Sequence, residues 1–250
     1  FYEDKFAFLF PIGTVDGFSS STCYATCHAV STINKDKDKH TRHYLKTSGQ
    51  KIDMWHWKRV RSTYNDRIDD QRITYVDPPY TSSSNGRGGD ADGQSGYSNN
   101  SVELTVTGGT DVVKVPKYVI PGQTDYYWIG EDQLGTDAKE VTAVDANGVL
   151  TYAGGTIDPN GDAGYNQGTG NKRFPSILTR PFTGGRGDLT IKAVYTGTGW
   201  ICEFTRKLNT GDPDDVVFDP TAELDFGFAT FNNAAIAHAI KPGLTMKFVQ

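Results

Sequence analysis

Along much of the chain apolar and polar positions alternate in short runs bounded by Gly, Asp, Asn and Pro. Examples are "KFAFLFPI", "SVELTVTG", "DVVKVPKYVI", "TDYYWIG", "KEVTAVDANGVLTYAG", "DLTIKAVYTGTGWICEFTRKL" and "LTMKFVQ". A period of two sends successive side chains to opposite faces of an extended strand. In "VELTVTG", Val102, Leu104 and Val106 therefore share one face, with Glu103 and Thr105 on the other. Asn147-Gly148 is a hairpin signal, because a tight two-residue turn needs positive φ. "YTGTGW" reads as another turn, since Gly197 and Gly199 tolerate that conformation. Helical signals are fewer. "KIDMWHWKRVRSTYND" reads as one amphipathic turn or two, and the alanine-rich "AAIAHAI" is ended by Lys241-Pro242. The pattern predicts a mainly β protein with short helices and long glycine-rich loops.

Composition narrows this picture. Abundant Gly, Tyr and Phe with only two Met favours turns and aromatic-rich strands over a helical bundle. With no long linker, the expectation is one domain over 1–250, with the low-complexity loops 80–100 and 158–172 as insertions. A net charge of −5 argues against a nucleic-acid partner, which needs a basic stripe. No apolar run approaches the roughly 18–20 residues of a membrane span. The chain starts at Phe1 without Met or signal peptide and reads as a processed product, with a periplasmic or extracellular location expected.

The densest chemistry lies in "STCYATCHAV". Cys23-x-x-x-Cys27-His28 is one residue longer than the usual heme c attachment motif, C-x-x-C-H. That chemistry needs two thiols for two thioethers and a histidine beside the second thiol to bind iron. An added residue can bulge out without separating Cys27 from His28. A disulfide, local or to Cys202 in "WICEF", and a zinc site are the competing readings. The nearest further histidines, His40 and His43, fit no common zinc spacing.

"DMWHWKRVRS" packs two tryptophans, a histidine, a methionine and three cations into ten residues. His56 or Met54 is a candidate iron ligand, and Trp55 and Trp57 are candidate walls of a macrocycle. Against this stands an aromatic core segment with a structural histidine. In "NDRIDDQ", Asp66, Asp69 and Asp70 are expected to pair with Arg59, Arg61 and Arg67 rather than bind a metal. "DPNGDAGYNQG" begins like a calcium loop but has Ala163 and Thr169 where that loop needs Gly and Glu. Arg186-Gly187-Asp188 is a tripeptide of the kind that arises by chance, and the glycosylation sequon Asn99-Asn100-Ser101 has meaning only in a eukaryotic secretory route. No nucleophile elbow, H-E-x-x-H or Walker loop is present.

Taken in order, "EDKFAFLFPI", "TCYATCH", "DMWHWKRVRS" with "DDQ", "GGRGDLTIKAVYTGTGWICEFTRKLNTGDPDDVVF" and "DFGFATFNNAAIAHA" resemble one family over most of the chain. It is that of the heme-binding subunits of ethylbenzene dehydrogenase and its relatives. The resemblance implies an antiparallel β-sandwich holding one heme and passing single electrons, often for a molybdenum enzyme and its iron–sulfur partner. Members with noncovalent heme b use a methionine and a lysine as axial ligands. Here the cysteine-histidine motif occupies the methionine's region, which implies the c-type branch, with one covalent heme c (heme b if attachment fails) and His28 as a ligand. Lys192 falls where the family lysine does and is the first candidate for the second ligand, with His56 and His238 as competitors. A neutral lysine ligand requires burial, whereas histidine does not. The family usually has strands before "EDK", so a leading strand supplied by a neighbour would give a homo-oligomer or filament.

The expected function is therefore an electron-transfer cytochrome, with catalysis in a partner. The alternative is a binding module without heme, its aromatic and glycine-rich loops holding a carbohydrate or protein, and with a disulfide at Cys23, Cys27 or Cys202.

Overall fold

The computed structural model describes residues 3–22, 43–79, 84–123, 127–158 and 174–249, and it is mainly β with short helical turns. Cys23, Cys27, His28 and most of the 158–172 loop lie outside the described residues. The chain packs as two compact units, Phe1–Ser95 with Phe182–Gln250, and Gly96–Pro181.

The first unit opens with β1 (Glu3–Ile12), β2 (Lys51–Lys58), β3 (Asp69–Thr74) and β4 (Arg87–Gly89). The second holds β5 (Tyr97–Asn99), β6 (Val102–Thr105), β7 (Val112–Val115), β8 (Tyr118–Val119), β9 (Trp128–Gly130), β10 (Lys139–Val144), β11 (Leu150–Tyr152), β12 (Gly155–Ile157) and β13 (Ile177–Thr179). The chain then returns to the first unit with β14 (Thr190–Tyr195), β15 (Trp200–Thr205), β16 (Glu223–Ala234) and β17 (Ala239–Lys247).

In the first unit an antiparallel sheet has the order β17-β16-β1-β2-β3-β4. Alternation gives it two apolar faces. Ala7, Leu9, Ile52, Met54 and Ala229 lie on one, under Val15, Phe18 and Leu45. Phe6, Phe10, Trp55 and Trp57 lie on the other, under Leu189, Ile191, Val216 and Phe218. The β14–β15 hairpin turns Trp200, Cys202 and Phe204 toward this second face, so two antiparallel layers enclose it as in a sandwich. The turn at "YTGTGW" forms as predicted, with Gly197 at φ 95° and Thr196 N–H donating to the Gly199 carbonyl.

Both helical expectations require correction. "KIDMWHWK" is strand β2, and only Arg59–Ser62 and Thr63–Asn65 turn helically. Side chains buried at seven of the eight positions of β2 hide the strand's alternation in the sequence, because the strand is covered on both faces. "AAIAHAI" is not helical: it bends between β16 and β17. Pro242 is accommodated in β17 because that strand lies at the sheet edge, and the register slips between Phe226 and Phe228 opposite it.

In the second unit β12-β11-β10-β8 form one sheet, β5-β13-β9 another and β6-β7 a hairpin. Val119, Val141, Val144, Leu150 and Ile157 make its core, with Leu104 and Val106 packed against them as their alternation predicts. The Asn147-Gly148 turn joins β10 to β11, with Gly148 at φ 81°.

Candidate functional site

Strand alternation sorts the residues of "DMWHWKRVRS". Met54, His56 and Lys58 project to one face of β2, and Asp53, Trp55 and Trp57 to the other. The two tryptophans therefore belong to a different side of the sheet from the histidine and methionine they were expected to accompany. Trp57 stacks on Phe6 and meets Trp200 edge-on, while Trp55 packs against Phe10 and Phe204.

On the His56 face a cavity of about 190 Å³ opens among Lys5, Ala7, Leu9, His43, Met54, His56, Arg61, Arg87, Ala229, Phe231 and His238. Its floor is shaped by register. Ala7 on β1 stands between His56 on β2 and Ala229 on β16, so two methyl groups leave a shallow hollow between Leu9, Met54 and Phe231. His56, Phe231 and His238 form a row of rings, with centroids 5.9 Å and 4.8 Å apart. The wall is apolar on one side and cationic on the other, where Lys5, Arg61 and Arg87 gather.

The hydrogen bonds assign the imidazole tautomers. Arg87 Nη2 lies 2.7 Å from His56 Nδ1, and a guanidinium can only donate, so Nδ1 accepts. Burial first, and then Lys58, Arg87, Arg61 and Lys5, hold the His56 pKa well below its ordinary value, so the ring is neutral. Its proton therefore sits on Nε2, a buried N–H with no acceptor among the described residues. An N–H can donate to an anion in the cavity but cannot bind iron. His238 is oriented the other way. Its Nδ1 donates to the Ile236 carbonyl at 2.7 Å, which fixes the ring's orientation through that nitrogen. Metal-binding histidines are usually held in that manner.

Behind His56 runs a buried polar network. Arg87 Nε donates to Gln71 Oε1, Gln71 Nε2 to Asp69 Oδ2, and both Lys58 and Arg186 pair with Asp69. Lys5, buried on β1, donates to the Ala235 carbonyl at 2.8 Å and lies 5.0 Å from the Phe231 ring. Burial, followed by the charge of Arg61, brings its pKa down to about 8.

The other predicted residues stand elsewhere. Lys192 projects outward from β14 with its side chain 74% exposed and paired to Asp66. The expected pairing of the "NDRIDDQ" aspartates is corrected likewise: Arg61 pairs with Glu3, Asp69 with Lys58 and Arg186, and Asp66 with Lys192. Cys202 faces the aromatic side of the sheet, where a larger cavity of about 550 Å³ lies between Phe6, Phe8, Trp57, Trp200, Phe204 and Phe228. Burial raises the Cys202 thiol pKa, so it stays protonated. Sequence reasoning missed Lys5, Arg61 and Arg87 as cavity residues. Their approach to His56 is set by strand register, although "KFAFLFPI" already carried the Lys5-x-Ala7 alternation.

Among the described residues no helix is long and apolar enough to cross a membrane. Searches of curated proteins and of solved structures found no match. A family model described as ethylbenzene dehydrogenase matches residues 1–241, almost the whole chain. The chain belongs to the ethylbenzene dehydrogenase family.

Proposed function

We propose that this chain is a heme-binding, electron-transfer subunit that works outside the cytoplasm beside a redox enzyme, such as a molybdenum and iron–sulfur oxidoreductase, in which the catalysis takes place. Family membership fits a subunit of such an enzyme complex. The observation that carries the reading is the cavity on the His56 face, which combines an apolar hollow, a row of rings and three cations. Such a lining would receive the carboxylate-bearing edge of a flat, mostly apolar macrocycle, whose body is larger than the roughly 190 Å³ here. Thr22 and His43 flank the segment with Cys23, Cys27 and His28, and His43 is itself part of the cavity lining. Bound heme would supply a reversible one-electron couple, tuned by its axial ligands and burial.

The chain's own groups take distinct roles. Cys23 and Cys27 would tether the group and His28 would be one axial ligand. His238, with Nδ1 held by Ile236, is the preferred second ligand, and the Met54 thioether lies in the same lining. The His56 Nε2–H, Arg61, Arg87 and Lys5 would hold carboxylates and keep water away from them. Lys192, exposed on β14, is not needed by this arrangement.

Intact mass tests attachment. A covalent heme adds several hundred daltons to the chain, while a disulfide between cysteines removes two. Single replacements His238→Ala, His56→Gln and Lys192→Ala then rank the ligands by the low-spin heme spectrum. His238→Ala is expected to change it and Lys192→Ala to leave it unchanged. The reverse result would return the second ligand to Lys192.

A further inference from the structure

A second site is built on the opposite face of the same unit. Asp53 and Asp70 are fully buried and Asp215 is 3% exposed, and one oxygen from each lies within 4.8 Å of the others. Asp90, 4% exposed, and Asp188 lie within electrostatic reach of this group. These five aspartates come from β2, β3, the ends of β4 and of the Gly185–Gly187 turn, and the loop before β16. One guanidinium, Arg206, stands against the five carboxylates, stacked over Trp55 and Phe218.

The hydrogen bonds divide each carboxylate. Asp53 Oδ2 accepts from Arg206 Nη1 at 2.9 Å and Val216 N–H at 3.0 Å. Asp215 Oδ2 accepts from Thr210 Oγ1 and forms an ion pair with Arg206 Nη2, and Asp70 Oδ1 accepts from the Gln71 N–H at 3.0 Å. The second oxygens are different. Asp53 Oδ1, Asp70 Oδ2, Asp215 Oδ1, Asp188 Oδ1 and both oxygens of Asp90 are buried with no donor among the described residues. Asp70 is within hydrogen-bond reach of both Asp53 and Asp188, a contact between acceptors that only a cation or a shared proton makes tolerable. Leaving six buried carboxylate oxygens unpaired would be among the costliest features of the fold.

We propose that Asp53, Asp70 and Asp215 bind a calcium ion, with Asp90 and Asp188 adding negative charge around it. The donor set is all oxygen, with no imidazole or thiolate, which selects a hard cation over zinc or copper. Three carboxylates from β2, β3 and the loop before β16 converge in a buried setting with little room for the several waters that magnesium keeps, which favours calcium with its more flexible coordination. A solvent-connected cleft lined by Asp188, Asp212, Gly185 and Thr210 gives the ion a route in. Through the β2 and β3 ligands the ion would fix the sheet and the 206–216 segment to each other.

The test uses the full chain, stripped with EDTA and dialysed, then titrated with calcium chloride. One calcium per chain by elemental analysis, with a Tm rise of roughly 5–10 °C at calcium a hundredfold above Kd, is the expected result. Asp70→Asn and Asp215→Asn should each weaken calcium binding at least tenfold by calorimetric titration. A chain that retains no calcium and whose Tm ignores it, but rises as the pH falls to 5, would overturn the proposal and show shared protons instead. The wild-type result stands alone should either variant fail to fold.

Discussion

Lys5 is only 4% exposed, and with its pKa lowered to about 8 it makes the folded state sensitive to alkaline pH. Below pH 8 both folded and unfolded chains keep this proton. Between about 8 and the ordinary value of 10.5 the folded chain releases it first, so the unfolded chain binds more protons and stability rises with pH. Lys5→Met should flatten that rise relative to the wild type across pH 8–10.5, as read from urea midpoints. Glu3 presents a complementary case. Buried at 2% exposure, it accepts the Val60 N–H at 2.6 Å and pairs with Arg61, so it fixes the start of the Arg59–Ser62 turn. Glu3→Gln leaves Arg61 without its charge partner and should cost about 2–4 kcal/mol of unfolding free energy in urea.

At the scale of elements, β2 separates two functions by alternation alone. Trp55→Ala removes a side chain packed on Phe10, Phe204 and Phe218 and should cost about 3–5 kcal/mol, while leaving the visible spectrum of bound heme in place. Met54→Ala, on the other face, should alter that spectrum. If both variants changed the spectrum alike, the assignment of the cofactor to the His56 face would fail. The same strand marks how far the sequence was legible. Period-two runs such as "VELTVTG" and the Asn147-Gly148 turn are local signals, and they gave the β class and the hairpins correctly. "DMWHWKRVRS" misled toward helix because a strand buried on both faces has no polar phase to reveal it. The partners that define the sites are distant in sequence: Arg87 reaches His56, and Arg206 reaches Asp53, across strands whose order no short motif encodes. Arg186 and Asp188 were dismissed as part of a chance tripeptide, yet one pairs with Asp69 and the other joins the buried carboxylates.

For the whole molecule, two units mean separate cores. Residues 96–181 have their own apolar cluster, and their ends meet where the Arg180 N–H donates to the Gly96 carbonyl at 2.9 Å. Chain ends held side by side are the geometry of an inserted folding unit. The fragment 96–181, expressed alone, should show β-type circular dichroism and a cooperative thermal transition. A fragment that lacks both would mean that its core depends on the rest of the chain. The heme reading belongs to this scale too, because it joins the segment around Cys23, Cys27 and His28 to a cavity assembled from β1, β2, β4 and β16. The most direct measurement is the pyridine hemochrome spectrum of the purified chain before and after acid-acetone extraction. A heme band that stays with the polypeptide after extraction is the predicted result, and a colourless chain with no heme band in either sample would contradict it.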